Sequence, residues 1–127
     1  MIEVKIYYHD TDCGGVVYYA NYLKYLEQAR TEFFAQKGLS VRELAQAGTW
    51  FVVARQEIDY RSPASYGDVL FVDTNISSMT GVKIEFGHRI KKQGGELVCE
   101  AKTITVCVGS DFKPKAIPQD VREALLH

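Results

Sequence analysis

Apolar and polar residues alternate at the start of the chain, over residues 2–8. This two-residue period predicts a half-buried strand. Residues 10–15 are rich in turn formers and predict a loop. From residue 19 to 37 the apolar positions recur at intervals of three and four, which predicts a helix, and Gly38 stands where a helix-ending glycine is expected. The pattern therefore changes from strand to helix across one short loop.

The rest of the chain has the pattern of an antiparallel sheet. Ser40 and Glu43 form a capping-box spacing that predicts a short helix up to Ala47. The separations around Gly81 and residues 94–95 are too short for crossover helices and predict hairpins. Four further strands are predicted at residues 50–60, 69–78, 82–90 and 97–108, followed by a last helix at 119–126 that begins after Pro118.

The sizes of these elements predict how they pack. A 19-residue helix is about 28 Å long and about 10 Å wide, whereas five strands about 4.8 Å apart form a sheet about 20–24 Å wide. One straight helix cannot cover a flat sheet of that width. We therefore expect an α+β fold with a curved sheet around one long helix, a single domain over residues 1–127, and a homodimer at least.

Composition narrows the class of protein. The 127 residues carry a net charge of −1, so nothing favours nucleic acid as a partner. The apolar runs are too short to predict a membrane span, and the first residues do not resemble a signal peptide. Three cysteines do not form a disulfide framework, and no His or Cys spacing predicts a metal. We expect a cytoplasmic protein with no cofactor.

The segment with the clearest chemistry is residues 7–25, YYHDTDCGGVVYYANYLKY. It combines two carboxylates, two glycines and the start of a helix. Glycines allow a ligand to approach the backbone, and free N–H groups at a helix start suit a polarised carbonyl. A carboxylate just before them can act as a general base or a nucleophile. This pattern indicates acyl transfer, and the alternative is an ordinary acidic turn.

The same segment resembles a known family. Asp10-Thr11-Asp12, Gly15-Val16-Val17-Tyr18 and Asn21-Tyr22 resemble the hotdog-fold acyl-CoA thioesterases of the 4-hydroxybenzoyl-CoA thioesterase type, in particular their YbgC branch. The likeness continues through Ala29-Arg30-Thr31-Glu32 and Tyr60-Arg61-Ser62-Pro63-Ala64. The resemblance implies a hotdog fold and an acyl-CoA substrate, with acyl carrier protein as a possible partner. It also implies a homodimer or homotetramer whose active site lies at a subunit interface.

The resemblance also implies roles for particular residues. Asp12 would be the general base or nucleophile, the Tyr19 backbone N–H would polarise the thioester carbonyl, and Tyr8 would lie near the carboxylate, although packing is the role we favour for it. The implied substrate contacts are Gly15, Tyr18, Thr80, Gly81 and Lys83, with Lys83 near the CoA phosphates.

Two departures from the YbgC pattern leave an alternative open. Tyr19 stands where the branch usually has a histidine, and His9 replaces an acidic residue. The backbone N–H is kept at position 19, but an imidazole is not. The alternative function is therefore a non-catalytic acyl-ligand-binding or scaffold protein of the same fold, associated with the envelope or lipid metabolism.

Other reactive side chains have structural interpretations that we prefer. Asp10 is expected to cap the loop rather than act as a second acid. Cys13 could be a nucleophile beside His9, but a small loop residue is the preferred interpretation. His88 alternates with apolar residues and is expected to be a hydrogen-bonded, satisfied histidine of the sheet. The two cysteines of the last strand, Cys99 and Cys107, are expected to be unreactive core residues.

Overall fold

The computed structural model describes all 127 residues and contains one five-stranded antiparallel sheet. The strands are β1 (Ile2–Lys5), β2 (Trp50–Tyr60), β3 (Val69–Met79), β4 (Lys83–Lys92) and β5 (Leu97–Val108). Their order across the sheet is β1-β3-β4-β5-β2. The four longer strands thus confirm the strands predicted from the sequence, to within two residues at each end.

Three helices accompany the sheet: α1 (Tyr22–Gln36), α2 (Val41–Gln46) and α3 (Gln119–Leu126). Ser40 caps α2, because its Oγ accepts the Glu43 N–H at 3.1 Å. Gly38 ends α1 with a φ of +79°, a conformation that costs glycine little. No helix is long and apolar enough to cross a membrane.

Two predicted boundaries are wrong. The first strand ends at Lys5 rather than Tyr8, since residues Tyr8–Asp10 form a 3₁₀ turn. The predicted helix starts with another 3₁₀ turn, Tyr19–Asn21, and becomes α-helical only at Tyr22. In both places a local backbone hydrogen bond closes the turn: the Asp10 N–H donates to the Tyr7 carbonyl at 3.0 Å, and the Asn21 N–H donates to the Tyr18 carbonyl at 2.8 Å.

The core lies between the concave face of the sheet and α1. One cluster joins the first half of α1 to β1, β3 and the start of β5. A second cluster joins Phe34 at the end of α1 to β4, the end of β5 and α3. Cys99 and Cys107 are fully buried in these clusters, and burial raises the pKa of Cys99 to about 12. Their assignment as unreactive core residues agrees with this environment.

β2 is an edge strand with nothing paired along its outer side. It pairs only with β5, over ten residue pairs, with a register shift between Val53 and Arg55. Val52 and Val53 are 37% and 50% exposed on this strand. Long apolar edges are rare in monomers because they invite pairing with another chain.

Candidate active site

The loop between β1 and α1 is a short hairpin. The Asp12 N–H donates to the Val16 carbonyl and the Tyr18 N–H donates to the Asp10 carbonyl, both at 2.9 Å. Gly15, at the turn, has a φ of +83°, which side-chain-bearing residues rarely adopt. The hairpin is fixed to the rest of the molecule, since the Val17 N–H donates to the Ala64 carbonyl at 2.8 Å. Asp12 and the start of the helix therefore lie on two arms of one fixed hairpin.

Asp10 is a structural residue of this hairpin. The residue is 8% exposed, and its Oδ2 accepts the Tyr7 N–H at 2.9 Å. Its Oδ1 accepts a hydrogen bond from Asn21 Nδ2 at 2.7 Å, and the same nitrogen donates to the Tyr25 hydroxyl at 3.0 Å. Burial raises the pKa of Tyr25 to about 12, so this phenol stays protonated. The expected loop-capping role of Asp10 agrees with these contacts.

Asp12 is exposed and has a free oxygen. Its Oδ1 accepts the Gly14 N–H at 2.8 Å, whereas its Oδ2 has no hydrogen-bond partner in the chain. The pKa of the Tyr18 phenol is raised, mainly by its neighbour Tyr19 and to a smaller degree by the Asp12 charge. The Asp12 carboxylate is thus held by one oxygen near Tyr18, with the other oxygen available to water or substrate.

The Tyr19 N–H has no acceptor anywhere in the chain. It is the first N–H of the 3₁₀ turn that opens the helix, and the first N–H groups of a helix have no intrahelical partner. The Tyr60 hydroxyl donates to the Tyr19 carbonyl at 2.8 Å and so fixes the backbone at this position. A donor aimed out of a helix start can stabilise an oxyanion if it meets the developing charge.

Aromatic rings surround this donor. Tyr18 and Tyr19 lie 4.9 Å apart between ring centroids, and Tyr60 lies 6.5 Å from Tyr19 and 5.6 Å from Tyr22. Tyr18 and Tyr19 are 46% and 63% exposed. They present an aromatic surface of the kind that packs against an apolar ligand or another chain.

Tyr8, His9 and Cys13 form no side-chain hydrogen bond or ion pair with Asp12. The Tyr8 ring packs on Tyr66 at 4.0 Å, and its hydroxyl has no hydrogen-bond partner in the chain. The His9 ring lies against Asp10, with 3.7 Å between Nε2 and Oδ1. Cys13 is an exposed loop thiol. The His9 imidazole thus lies against Asp10 rather than Asp12.

Thr80, Gly81 and Lys83 lie at the opposite end of the sheet from Asp12. They form the β3–β4 hairpin, where the Lys83 N–H donates to Thr80 Oγ1 at 2.9 Å. The Asp12 hairpin packs instead near the start of β3, which is 11 residues and about 35 Å long. One chain therefore does not bring these three residues to Asp12.

The main cavity is also remote from Asp12 within one chain. It has a volume of about 280 Å³ and lies between α1, α2 and the Trp50 end of β2. Asp12 is not among its lining residues, and Tyr60, beside Tyr19, is at the other end of the same strand. The loop and the cavity thus occupy the two ends of the free edge strand.

Two residues at these places had no role assigned from the sequence. Tyr60 fixes the backbone at Tyr19, and Arg30 lines the cavity. Both fall in segments that carry the family resemblance, but their positions depend on contacts between distant parts of the chain. The only sequence signal for Tyr60 is a tyrosine at the end of a strand, and the only one for Arg30 is an arginine among the apolar residues of a helix.

No three His, Cys, Asp or Glu side chains are grouped as metal ligands.

Comparison with known proteins identifies the class to which this fold and loop belong. Residues 7–125 match the family model described as the thioesterase-like superfamily. The chain is 25% identical to the crystal structure of a 1,4-dihydroxy-2-naphthoyl-CoA thioesterase from Synechocystis, with a TM-score of 0.91, covering 98% of this chain and 93% of that one. The chain belongs to the thioesterase-like superfamily and has the expected hotdog fold.

Two curated relatives carry the name of one branch. The chain is 39% identical over 119 residues to the acyl-CoA thioester hydrolase YbgC of Escherichia coli O6:H1, covering 93% of this chain and 89% of that protein. It is 38% identical over 127 residues to the acyl-CoA thioesterase YbgC of Haemophilus influenzae, covering 98% and 92%. The resemblance to YbgC-type thioesterases is confirmed over nearly the whole chain, and with it the class of a thioester hydrolase.

Proposed function

We propose that this chain hydrolyses acyl-CoA thioesters to a free acid and CoA, with Asp12 as the catalytic carboxylate. One observation carries the proposal: the Tyr19 N–H, which has no acceptor, opens the helix at the end of a hairpin whose other arm holds the exposed Asp12. A carbonyl that accepts this N–H becomes more electrophilic, and the carboxylate supplies the base or nucleophile. The thioesterase relatives support the reaction class.

In the general-base form, Asp12 takes a proton from water as the water oxygen bonds to the thioester carbon. The Tyr19 N–H stabilises the resulting oxyanion. The carbon–sulfur bond then breaks, and the CoA thiolate leaves and takes up the proton. In the nucleophilic form the Asp12 oxygen bonds to the carbonyl carbon first, the CoA thiolate leaves, and water hydrolyses the mixed anhydride. A single turnover in ¹⁸O-water detects an anhydride that water opens at the Asp12 carbonyl carbon, because that route places the label in Asp12, whereas the general-base form places it in the product acid.

The loop also supplies the proposed contacts to the acyl thioester. Gly15 offers backbone without a side chain close to Asp12, and Tyr18 places its ring beside that of Tyr19, with 4.9 Å between the centroids. Tyr8 has a free hydroxyl on the same loop, and in this proposal it borders the pantetheine arm. CoA and acyl carrier protein share that arm, so the proposal includes both as thiol carriers.

The proposed minimal unit is a dimer formed through β2, as a homodimer or as half of a homotetramer. Antiparallel pairing of two β2 edges around a two-fold axis would extend the sheet and cover Val52 and Val53. The Trp50 end of one strand would then lie beside the Tyr60 end of the other. The β3–β4 hairpin of the partner would thereby approach the Asp12 loop, which one chain cannot achieve.

In that dimer the partner's hairpin supplies the CoA contacts. Lys83 is exposed and forms no ion pair within its own chain, so its ammonium group is available to a phosphate. Thr80 and Gly81 form the turn beside it. The three free cysteines fit the cytoplasm, where thiols stay reduced and acyl-CoA esters are handled.

The test is the rate of free-thiol release from a panel of acyl-CoA esters, read colorimetrically. Asp12→Ala should lower kcat/KM at least about a hundredfold, because both base and nucleophile are lost. Cys13→Ser is the matched control on the adjacent residue and should retain the wild-type rate. A folded Asp12→Ala with near wild-type activity would refute the proposed role. Tight acyl-CoA binding by the wild type with no turnover would favour the non-catalytic alternative.

A further inference from the structure

The cavity at the Trp50 end of β2 combines aromatic walls with one cation. Its volume of about 280 Å³ is at the small end for ligand sites, which indicates a compact occupant. Within its wall Phe34 packs edge to face on Phe51, with centroids 5.4 Å apart, and at a tilt on Phe86, with centroids 6.3 Å apart. Arg30 projects into this otherwise largely apolar lining from α1.

Arg30 is desolvated and has too few partners. Its guanidinium has five N–H donors, yet its only hydrogen bond is from Nη1 to Thr103 Oγ1, at a long 3.4 Å. No carboxylate lies within ion-pair distance of it. Burial lowers the pKa of Arg30, and the Glu27 charge opposes that shift only in part. A partly buried cation without a partner is costly unless a ligand oxygen completes its hydrogen bonds.

The residues beneath Arg30 do not satisfy it either. Thr103 already donates its hydroxyl to Gln56 Oε1 at 2.7 Å. His88 is 3% exposed and contacts Thr74 through Nδ1, but its Nε2 has no partner, so the expectation of a fully satisfied histidine is wrong. Burial and the Arg30 charge lower the pKa of His88 to about 4, so it stays neutral near pH 7 and offers Arg30 no counter-charge. Thr103 accepts one long hydrogen bond from Arg30 and His88 forms none with it, so most of the Arg30 donors stay unpaired.

We propose that this cavity is the acyl pocket and that Arg30 binds an oxygen at the far end of the acyl group. The inference rests on the proposed function and specifies its substrate class: compact acyl groups that carry a hydroxyl or carboxylate acceptor at the end remote from sulfur. Glu27, which is exposed and also lines the cavity, can accept a hydrogen bond from a hydroxyl but repels a carboxylate.

The acyl group enters this pocket from the partner's catalytic loop. Along α1 the cavity residues Glu27 to Phe34 lie about 12–22 Å beyond Tyr19, at 1.5 Å per residue. The β2 dimer instead places the Tyr60 end of one protomer beside the Trp50 end of the other. Each active site therefore combines Asp12 of one protomer with Arg30 of its partner.

Matched substrates test the role of Arg30. Hydrolysis of 4-hydroxybenzoyl-CoA is compared with benzoyl-CoA, and glutaryl-CoA with pentanoyl-CoA. Wild type should prefer at least one acceptor-bearing member by about tenfold or more in kcat/KM, and Arg30→Met should remove that preference, because the donor to the acceptor is lost. Arg30→Lys, which keeps the charge, should keep part of it. Glu27→Gln tests the carboxylate acceptor separately from the hydroxyl: it removes the charge that repels a carboxylate and should raise the rate for glutaryl-CoA relative to 4-hydroxybenzoyl-CoA.

The controls distinguish this inference from the proposed function. Arg42→Met removes an exposed arginine from α2 and should leave the preference unchanged. Asp12→Asn should slow both members of each pair by the same factor, so that their ratio persists. If wild type hydrolyses none of the esters, binding of the same pairs by calorimetry still measures the Arg30 preference. A wild type without preference for either acceptor, or a preference that survives Arg30→Met, would overturn the inference.

Mixed dimers test the assignment to two protomers. Co-expressed, differently tagged Asp12→Asn and Arg30→Met chains form a heterodimer with one intact composite site and one doubly altered site. It should show about half of the wild-type rate on the preferred substrate with the wild-type preference. If both residues act within one protomer, no intact site forms and neither the rate nor the preference returns, which would contradict the two-protomer assignment.

Discussion

Two aspartates separated by one residue have opposite environments in this protein. Asp10 is buried and accepts hydrogen bonds from Tyr7 and Asn21. Asp12 is exposed and is held by one hydrogen bond from Gly14. Turn propensity favoured a capping role for Asp10, but only the path of the hairpin shows which carboxylate has a free oxygen. Asp10 and Asp12 have the same side chain, and the backbone path of the hairpin decides which of them is buried and which is exposed.

Tyr60 has a positioning role that can be tested at the level of one hydroxyl. Its hydrogen bond to the Tyr19 carbonyl fixes the backbone next to the proposed oxyanion donor. We expect Tyr60→Phe to lower kcat about three- to tenfold with little change in KM, because one hydrogen bond contributes about 1 kcal/mol. Steady-state kinetics on one acyl-CoA ester measures kcat and KM separately.

The matched control for this change is Tyr66→Phe. Its ring packs on Tyr8, and its hydroxyl forms no hydrogen bond in the chain. It should leave kcat within about twofold of the wild type. An equal loss in both variants, or a loss confined to KM, would show that Tyr60 does not position the donor.

His88 makes stability depend on pH. Burial lowers its pKa from 6.5 to about 4. Between these two pH values His88 is therefore protonated in the unfolded chain and neutral in the folded chain. The free energy of unfolding is therefore unaffected by His88 above pH 6.5 and falls as the pH drops from 6.5 towards 4, by about 3 kcal/mol in total.

Urea denaturation of wild type and His88→Gln at several values between pH 7 and 4 measures this term. The variant should lose less stability than wild type over that range, since it has no group to protonate. His9→Asn, which removes an exposed histidine, should follow the wild-type curve. Parallel curves for wild type and His88→Gln would contradict the buried neutral state of His88.

At the scale of elements, the sequence predicts what local patterns control. The bounds of β2 and α3 were predicted to the residue, because a change of period, Pro118 and nearby glycines mark them. The two 3₁₀ turns were missed because the Asp10 carboxylate accepts hydrogen bonds from the Tyr7 N–H and from Asn21 Nδ2, and these contacts form only in the folded hairpin. The register shift in β2 likewise leaves no local signal.

The free edge of β2 leads to a prediction about assembly. Light scattering should give wild type a mass of at least twice the 14.3 kDa of one chain. Replacing both Val52 and Val53 by Lys should reduce it to that of a monomer, because charges on an edge oppose strand pairing. Glu3→Lys on β1, the opposite edge, is the control and should keep the wild-type mass. A monomeric wild type, or an unchanged double variant, would exclude the β2 interface.

At the scale of the molecule, the sequence predicted a curved sheet around one helix, because one helix is too narrow to cover a flat sheet of five strands. It did not place the candidate site residues relative to one another. Asp12 and Lys83 both belong to segments that resemble thioesterases, yet they lie near opposite ends of β3, a strand about 35 Å long. Such a separation depends on strand order, which periodicity does not encode.

The central claim is that Asp12 and the Tyr19 N–H lie on either side of a bound thioester. The most direct measurement is a crystal structure of Asp12→Asn with an intact acyl-CoA. We predict that the carbonyl oxygen lies about 2.7–3.2 Å from the Tyr19 nitrogen, with the substituted side chain at position 12 about 3–3.5 Å from the carbonyl carbon or from a water beside it. A thioester bound elsewhere, with both groups facing solvent, would contradict the claim.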